Sequence, residues 1–409
     1  MTESLAAALR GLGFRAAVVG GEATDRSAAE LQRLAEAHDF LLIEVGRDDL
    51  SGAPERPTDR LILVGRASEP FPEGSWPRAA PGIGSDRPDL VLVHAADGGF
   101  PTGSAGWLTA APTARLIHVR DGARSDIARV ARLLSGRSVG LALGGGGARA
   151  YAHIGVLKAL RELGQPIDCL AGSSMGAVIA AGVAMDWDLP ELEARVRMAF
   201  VASSPLADIA LPLLAMSHGA RVGARLSRHF GETDIRDLWR AFACVSTDLT
   251  TGAAREHRTG PLHRALRASI SIPGVLPPVV EGGHVLVDGS LIDNLPVDLV
   301  QEMHGGKTIG VDVAEFAGLA PEDLQLHPPG LRWLLSGAWR RGPPIVSVLI
   351  RAATMPSAKA MIATRDRAEV VIVPELAGIE IQDWKAYAPA VEAGYRAAMA
   401  KADALTTLV

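Results

Sequence analysis

The sequence predicts an α/β protein with a mainly parallel sheet and helices on its faces. Three observations carry that expectation. Short apolar runs of strand length alternate with helix-like patterns through the first third of the chain. Further on, two apolar runs break into small-residue turns that open straight into helical stretches. No repeat at a fixed period and no low-complexity tract competes with this alternation. With 409 residues, 48% apolar and 21% charged, there is material for two or three domains with buried cores and no case for global disorder.

Strands are expected at 15–20, 40–46, 61–65, 90–95 and 116–119, with a helix over 27–37. Residues 67–88 are rich in Pro, Gly and Ser and read as a loop. A helix over 125–134 stops at Gly136, which places a domain boundary near 135–138. Next come a strand at 138–143, the glycine run 144–147, and a helix from about 150 to 163. A strand over 167–171 and a sharp turn lead into a helix over 175–185. Residues 190–200 have a helical pattern, while 240–249, 283–288 and 307–313 read as strands. The pattern is irregular over 325–345, then shows a strand at 369–373 and an Ala-rich helix over 389–405.

Composition excludes several classes. Lys and Arg number 41 against 46 Asp and Glu, a net charge of −5 that argues against a nucleic-acid partner. Cys169 and Cys244 are too few for a disulfide framework and fit a reducing compartment. The first apolar run, 5–9, is shorter than the roughly 7–15 residues of a signal-peptide core. The longest uncharged stretch, 169–185, falls short of the roughly 20 residues of a membrane span and reads as a buried strand, turn and helix. A cytoplasmic location is expected, with membrane contact at most peripheral and at the inner face. No C-x-x-C or H-E-x-x-H spacing occurs, so neither a metal nor an organic cofactor is expected.

Three segments carry chemistry. Gly172-Ser173-Ser174-Met175-Gly176 has the form G-x-S-x-G between a strand and a helix. A tight turn exposes a nucleophilic hydroxyl, and small neighbours let the backbone crowd there. The helix that follows would aim its N-terminus at the site and favour developing negative charge. On this motif alone, a plain turn packed with small residues is an equal alternative.

The second segment is the glycine run 144–147 with Ala148-Arg149-Ala150. Its consecutive N–H groups make a nest for a phosphate or an oxyanion. A P-loop would need Gly-Lys-Ser/Thr after the glycines, and Arg149-Ala150 is not that. Gly145, Gly147 and Ala150 satisfy a relaxed dinucleotide fingerprint, but that site needs an acid ending the next strand. Here Asp168 begins that strand and Gly172-Ser173-Ser174 ends it, which favours the oxyanion use. The third segment, Asp288-Gly289-Ser290, presents a carboxylate at a turn, 114 positions after Ser174. Alone, it has the commonest fate of Asp-Gly, a simple turn.

Together these segments resemble the patatin-like phospholipases. The glycine run with Arg149, the 172–176 elbow and Asp288-Gly289 stand in that family's order. Tyr151-Ala152-His153-Ile154-Gly155-Val156-Leu157 resembles the helix after its glycine loop. Thr247-Asp248-Leu249-Thr250-Thr251-Gly252 and Ala268-Ser269-Ile270-Ser271-Ile272-Pro273-Gly274 resemble two internal segments. Asp293-Asn294-Leu295-Pro296-Val297 resembles the stretch after its catalytic Asp. The likeness is strongest over 137–313. Residues 88–136 and 367–400 are also similar to the neuropathy target esterase branch of lysophospholipases. Two departures occur: Ala150 where the family loop often ends in Gly, and Ser290 where Gly or Ala is usual. Neither a cyclic-nucleotide-binding domain nor an N-terminal membrane anchor, both carried by larger members, is read from the sequence.

The resemblance implies a three-layer α/β/α hydrolase domain over 137–409, with a core at 137–313 and an extension at 314–409. A smaller Rossmann-like α/β domain of unassigned role precedes it at 1–136. The implied activity is hydrolysis of a fatty-acyl ester, foremost of a lysophospholipid or phospholipid, without a cofactor. Ser174 and Asp288 would form a catalytic dyad, and Gly145, Gly146 and Gly147 would supply the oxyanion hole. Gly172, Gly176, Gly289 and Arg149 would support them. Arg149 would either brace the loop, the simpler account, or meet a lipid phosphate. A carboxylate is a weak base for an alcohol, so water exclusion and an orienting hydrogen bond would have to help Asp288.

The rivals are specific. A Ser-His-acid triad would draw on His153, on His304 or on His327; His284 lies four residues before Asp288, roughly 13 Å along the strand. A nucleotide-binding regulatory module and a catalytically silent lipid-binding relative come from other classes. Residues 331–341, with Trp333, Trp339, Arg332, Arg340 and Arg341, fit a packing helix or a lipid interface. Residues 205–216 fit packing or a lid. Oligomeric state leaves no mark on the sequence.

Overall fold

The computed structural model describes residues 1–20, 27–46, 60–71, 88–110, 113–202, 208, 215–314, 361 and 363–408. The chain divides into two units. One comprises Met1–Ser138 with two short later segments, Arg236–Ala241 and Met303–Gly306. The other comprises Val139–Ile235, Phe242–Glu302 and Lys307–Val409.

The first unit runs α1 (Thr2–Gly11), β1 (Ala16–Val19), α2 (Ala28–Ala37), β2 (Phe40–Ile43), β3 (Ile62–Arg66), β4 (Asp89–His94), α3 (Ser104–Ala110), β5 (Arg115–Arg120) and α4 (Arg124–Ser135). All five strands expected from the sequence are present, and every pairing among them is parallel. They form two sheets rather than one: β1 with β2, and β3-β4-β5. The sequence pattern does not register α1 and α3. In α1, Leu5 and Leu9 stand one turn apart and are buried with Val91, Ile117 and Val130. Two leucines over so short a helix do not establish a period. Gly136 ends α4 with a left-handed φ of 70°.

The second unit runs β6 (Val139–Leu143), α5 (Ala152–Glu162), β7 (Cys169–Ser173), α6 (Ser174–Ala184), α7 (Leu189–Val196) and α8 (Ala220–Phe230). It continues through β8 (Ala241–Asp248), β9 (Ala253–His257), α9 (Leu262–Ser269), β10 (Val279–Glu281), β11 (His284–Asp288) and α10 (Val297–His304). It closes with β12 (Lys307–Val311), β13 (Val370–Ile372), α11 (Tyr387–Met399) and α12 (Ala402–Thr406). Helices flank an eight-stranded mixed sheet of order β10-β11-β8-β7-β6-β12-β13, with β9 paired to β8. Strands β7, β6, β12 and β13 are parallel, while β8 is antiparallel to β9 and β11.

The central strands explain their own position. Val139–Leu143 and Cys169–Ser173 are apolar or small throughout and buried at every residue, as strands covered on both faces must be. Leu143 pairs with Gly172, so the two small-residue turns open side by side at the carboxyl ends of adjacent parallel strands. The uncharged stretch is a buried strand, turn and helix, as expected; α6 is 11 residues long. No helix among the described residues is long and apolar enough to cross a membrane.

Helices α8, α9 and α10 and strands β9 and β10 fall where the sequence pattern carries no assignment. The expected final helix is two, α11 and α12. Helix α11 lies tightly on α5: a Cβ on Gly394 would overlap the carbonyl of Ala152, and one on Gly155 the carbonyl of Val391. Residues 331–341, His327 and most of 205–216 lie outside the described residues.

Candidate active site

Ser174 is the first residue of α6 and has a φ of 51°. That left-handed backbone costs a non-glycine residue about 1–3 kcal/mol, so its surroundings must hold it. Ser174 N–H donates to Ser269 Oγ at 2.9 Å. A Cβ on Gly172 would stand 2.6 Å from Ala177 Cα, and one on Gly176 would overlap Leu143 O. Crowding at the elbow thus demands both glycines of the pentapeptide.

Asp288 ends β11 and is fully buried. Ser174 Oγ donates to its Oδ2 at 2.6 Å across 114 residues. Its Oδ1 accepts from Ser290 N–H at 2.9 Å and Ser290 Oγ at 2.7 Å. Burial pushes the carboxyl up to about 6, opposed by the bonds from Ser174 and Ser290. A Cβ on Gly289 would overlap Val245 O and stand 2.8 Å from Ser173 Oγ, so the turn after Asp288 needs glycine. Asp288 N–H bonds Ser271 O at 2.9 Å. The 269–271 stretch therefore tethers the backbones of both Ser174 and Asp288.

The glycine run leaves β6 beside Ser174. A Cβ on Gly145 would lie 2.8 Å from Ser174 Cβ. Gly144 N–H bonds Val311 O at 3.0 Å, and Gly145 N–H bonds Asn294 Oδ1 at 3.0 Å. Ala148 N–H bonds Ile381 O at 2.9 Å, and Arg149 N–H bonds Gly146 O at 3.1 Å. Among the described residues, the N–H groups of Gly146 and Gly147 meet no acceptor. Arg149 is buried, with Nε on Val313 O at 2.8 Å and Nη1 on Leu376 O at 3.0 Å and Ile379 O at 2.8 Å.

The described histidines raised as triad candidates bond other groups. His153 is fully buried, with Nε2 2.7 Å from Gly144 O, and burial lowers it to about 4, which leaves it neutral. Nε2 therefore carries the proton that bonds the carbonyl. His284 pairs with Asp248 at 2.6 Å, and His304 Nδ1 accepts from Gly306 N–H at 3.0 Å. No histidine among the described residues bonds Ser174 or Asp288. Asp168 is buried at the start of β7, where its carboxylate accepts Val139 N–H at 3.0 Å and joins the two central strands. No group of three or more His, Cys, Asp or Glu among the described residues could hold a metal ion.

Residues 141–300 match the family model of patatin-like phospholipases. Residues 141–300 form a patatin-like phospholipase domain. An uncharacterized NTE family protein of Mycobacterium tuberculosis is 34% identical over 389 residues, covering 93% of this chain and 64% of the relative. Human patatin-like phospholipase domain-containing protein 6 is 35% identical over 288 residues, 62% of this chain and 20% of that one. Lysophospholipase NTE1 of Eremothecium gossypii is 37% identical over 221 residues, 53% of this chain and 14% of that one. This chain thus spans less than two thirds of the length of each.

Within the patatin-like domain, Ser269, Asn294 and Ser290 touch the site, and sequence reasoning assigned none of them a role. Asn294 and Ser269 lie in segments whose resemblance to the family was the one available signal. Ser290 showed only as a departure from the usual residue.

Proposed function

We propose that the chain is a serine lipid acyl hydrolase, cleaving fatty-acyl esters of lysophospholipids through an acyl-enzyme on Ser174. The observation that carries this is the 2.6 Å bond from Ser174 Oγ to Asp288 Oδ2 at the N-terminus of a buried helix. As Ser174 Oγ attacks the ester carbonyl, its proton passes to Asp288 Oδ2. The intermediate collapses, and the leaving alcohol takes that proton. Water then adds to the acyl-enzyme with Asp288 as base, and the fatty acid departs. Burial helps: a carboxyl raised toward 6 is a stronger base than one in water.

The helix N-terminus favours the developing charge at Ser174. For the oxyanion, the N–H groups of Gly146 and Gly147 are the available donors of the run, while Gly145 N–H is engaged by Asn294. One such donor is worth about 10²–10³ in rate. Gly145 serves by its small size, since any side chain would meet Ser174. Arg149 serves as a brace between the loop and the carbonyls of Val313, Leu376 and Ile379. The assignment concerns 137–409, acting as a peripheral protein on the cytoplasmic face of a membrane; residues 1–136 form an accompanying domain.

A fluorophosphonate probe tests it. Covalent labelling that disappears in Ser174→Ala and Asp288→Asn is expected, with hydrolysis fastest on lysophospholipids in a panel of lysolipids, phospholipids and short-chain esters. No labelling would favour a silent lipid-binding relative or a nucleotide-binding module. A loss above about a thousandfold on replacing His153, His304 or His327 by Ala would restore the triad.

A further inference from the structure

Asp288 meets Ser174 through one carboxylate oxygen only. The other, Oδ1, accepts twice from a single residue, Ser290 N–H at 2.9 Å and Ser290 Oγ at 2.7 Å. The terminal torsion of an aspartate is soft, and burial alone does not choose its angle. Two donors on one oxygen do choose it. We propose that the Ser290 hydroxyl is a positioning group that keeps Asp288 oriented and ionised through both halves of the reaction. This rests on Ser174 and Asp288 acting as the dyad.

The second half-reaction shows why an extra hold matters. In the acyl-enzyme, Ser174 Oγ is esterified and has no proton to donate, so Oδ2 loses its partner. Oδ1 keeps both of its donors on Ser290. The carboxylate stays aimed at the space where water must arrive. It takes one proton from that water as the hydroxide oxygen bonds to the acyl carbon. The bond from that carbon to Ser174 Oγ then breaks, and the proton returns to Ser174. The products are the fatty acid and the free enzyme.

The same hydroxyl favours the charged form, since a donor bonded to a carboxylate stabilises its negative charge. Other groups do little there. On β8, Ser246 pairs with Asp288 and bonds His257 of β9 at 2.8 Å. On α9, Arg267 is held by Ser271 Oγ and by Pro277 O at 3.1 Å. On β10, Glu281 pairs with His284, which is bonded to Asp248 at the far end of β11. Asp293 follows in the next turn. Burial raises Asp288, and the bonds from the Ser174 hydroxyl and the Ser290 hydroxyl and amide oppose it.

The test is the pH profile of the full chain on a p-nitrophenyl ester. Ser290→Ala keeps the N–H bond and removes the hydroxyl. The acid limb of kcat/KM is expected to move up by about one pH unit. In addition, kcat at pH 8 should fall about tenfold. Ser290→Thr, which restores a hydroxyl, should return the limb to its original place. Ser290→Gly gives a second hydroxyl-free variant should the alanine protein fold poorly. An unshifted limb in a folded, active S290A or S290G enzyme overturns the proposal and leaves the dyad standing. Absence of probe labelling at Ser174 in the unmodified chain would instead remove the dyad itself.

Discussion

The side chain of Asn294 and the backbone of Gly145 exchange two hydrogen bonds: Gly145 N–H donates to Asn294 Oδ1 at 3.0 Å, and Asn294 Nδ2 donates to Gly145 O at 3.3 Å. A side-chain amide here takes the place of a neighbouring strand. Because Gly145 lies against Ser174, the turn after Asp288 thereby locates the loop beside the nucleophile. Removing the side-chain amide takes the donor from Gly145 O and leaves Gly145 N–H only its longer bond to the Asn294 backbone carbonyl at 3.3 Å. Asn294→Ala should lower kcat about a hundredfold with little change in KM. It should also cost about 1–3 kcal/mol in urea denaturation. Asn294→Asp should do no better, since a carboxylate cannot donate to Gly145 O.

The buried carboxyl of Asp288 makes activity and stability oppose one another. As the base it must be ionised, so kcat/KM should rise with pH through about 6 and level off above. Its folded value of about 6 lies above the ordinary aspartate value of 3.8, so between the two the native state binds the extra proton. Stability therefore falls as pH rises through that window, and the full penalty, at most about 3 kcal/mol, is present above it. Asp288→Asn should be inactive yet more stable than the parent at pH 8, with the difference gone near pH 4. Chemical denaturation at the two pH values checks the sign.

Arg149 distinguishes a brace from a phosphate contact. Its guanidinium serves carbonyls on two segments, Val313 on one and Leu376 and Ile379 on the other, a spread that one ammonium cannot match. Arg149→Lys should lower stability by about 2–4 kcal/mol. It should reduce kcat/KM alike on lysophospholipids and on neutral p-nitrophenyl esters. A loss confined to phosphate-bearing substrates would favour the other role.

Gly394 tests how far the end of the chain supports the site. It lies against the Ala152 carbonyl at the start of the helix that follows the glycine loop. Gly394→Ala must force α11 away from α5. A loss of about 1–3 kcal/mol or more is expected, read as a lower Tm. An unchanged Tm would mean that the two helices separate freely.

Local patterns announced much of the fold. The Val139–Leu143 and Cys169–Ser173 strands, the small-residue turns after them and the helices beyond are written in contiguous stretches, where hydrophobic period and turn chemistry can be read directly. Short elements escaped. Helix α8 buries Val222, Leu226 and Phe230 on one stripe, but only three of its eleven residues are large and apolar, and no side chain caps its N-terminus. Strand β9 is three-fifths exposed charge and alanine, and only its pairing with β8 makes it a strand.

Residue order pointed to Ser174, Asp288 and the glycine run as candidates only through their joint resemblance to one family, since each motif alone also reads as a plain turn. It could not say that Asn294 would occupy the Gly145 amide, that Ser269 would hold the Ser174 backbone, or that Ser290 would turn toward Asp288. Those are contacts between segments far apart in the chain, or a rotamer selected by surroundings. Hydrogen bonds over two to three ångströms have no signature in residue order. They are fixed when the antiparallel strands β8 and β11 are laid beside the parallel β7 and β6, because burial makes an unpaired polar group costly.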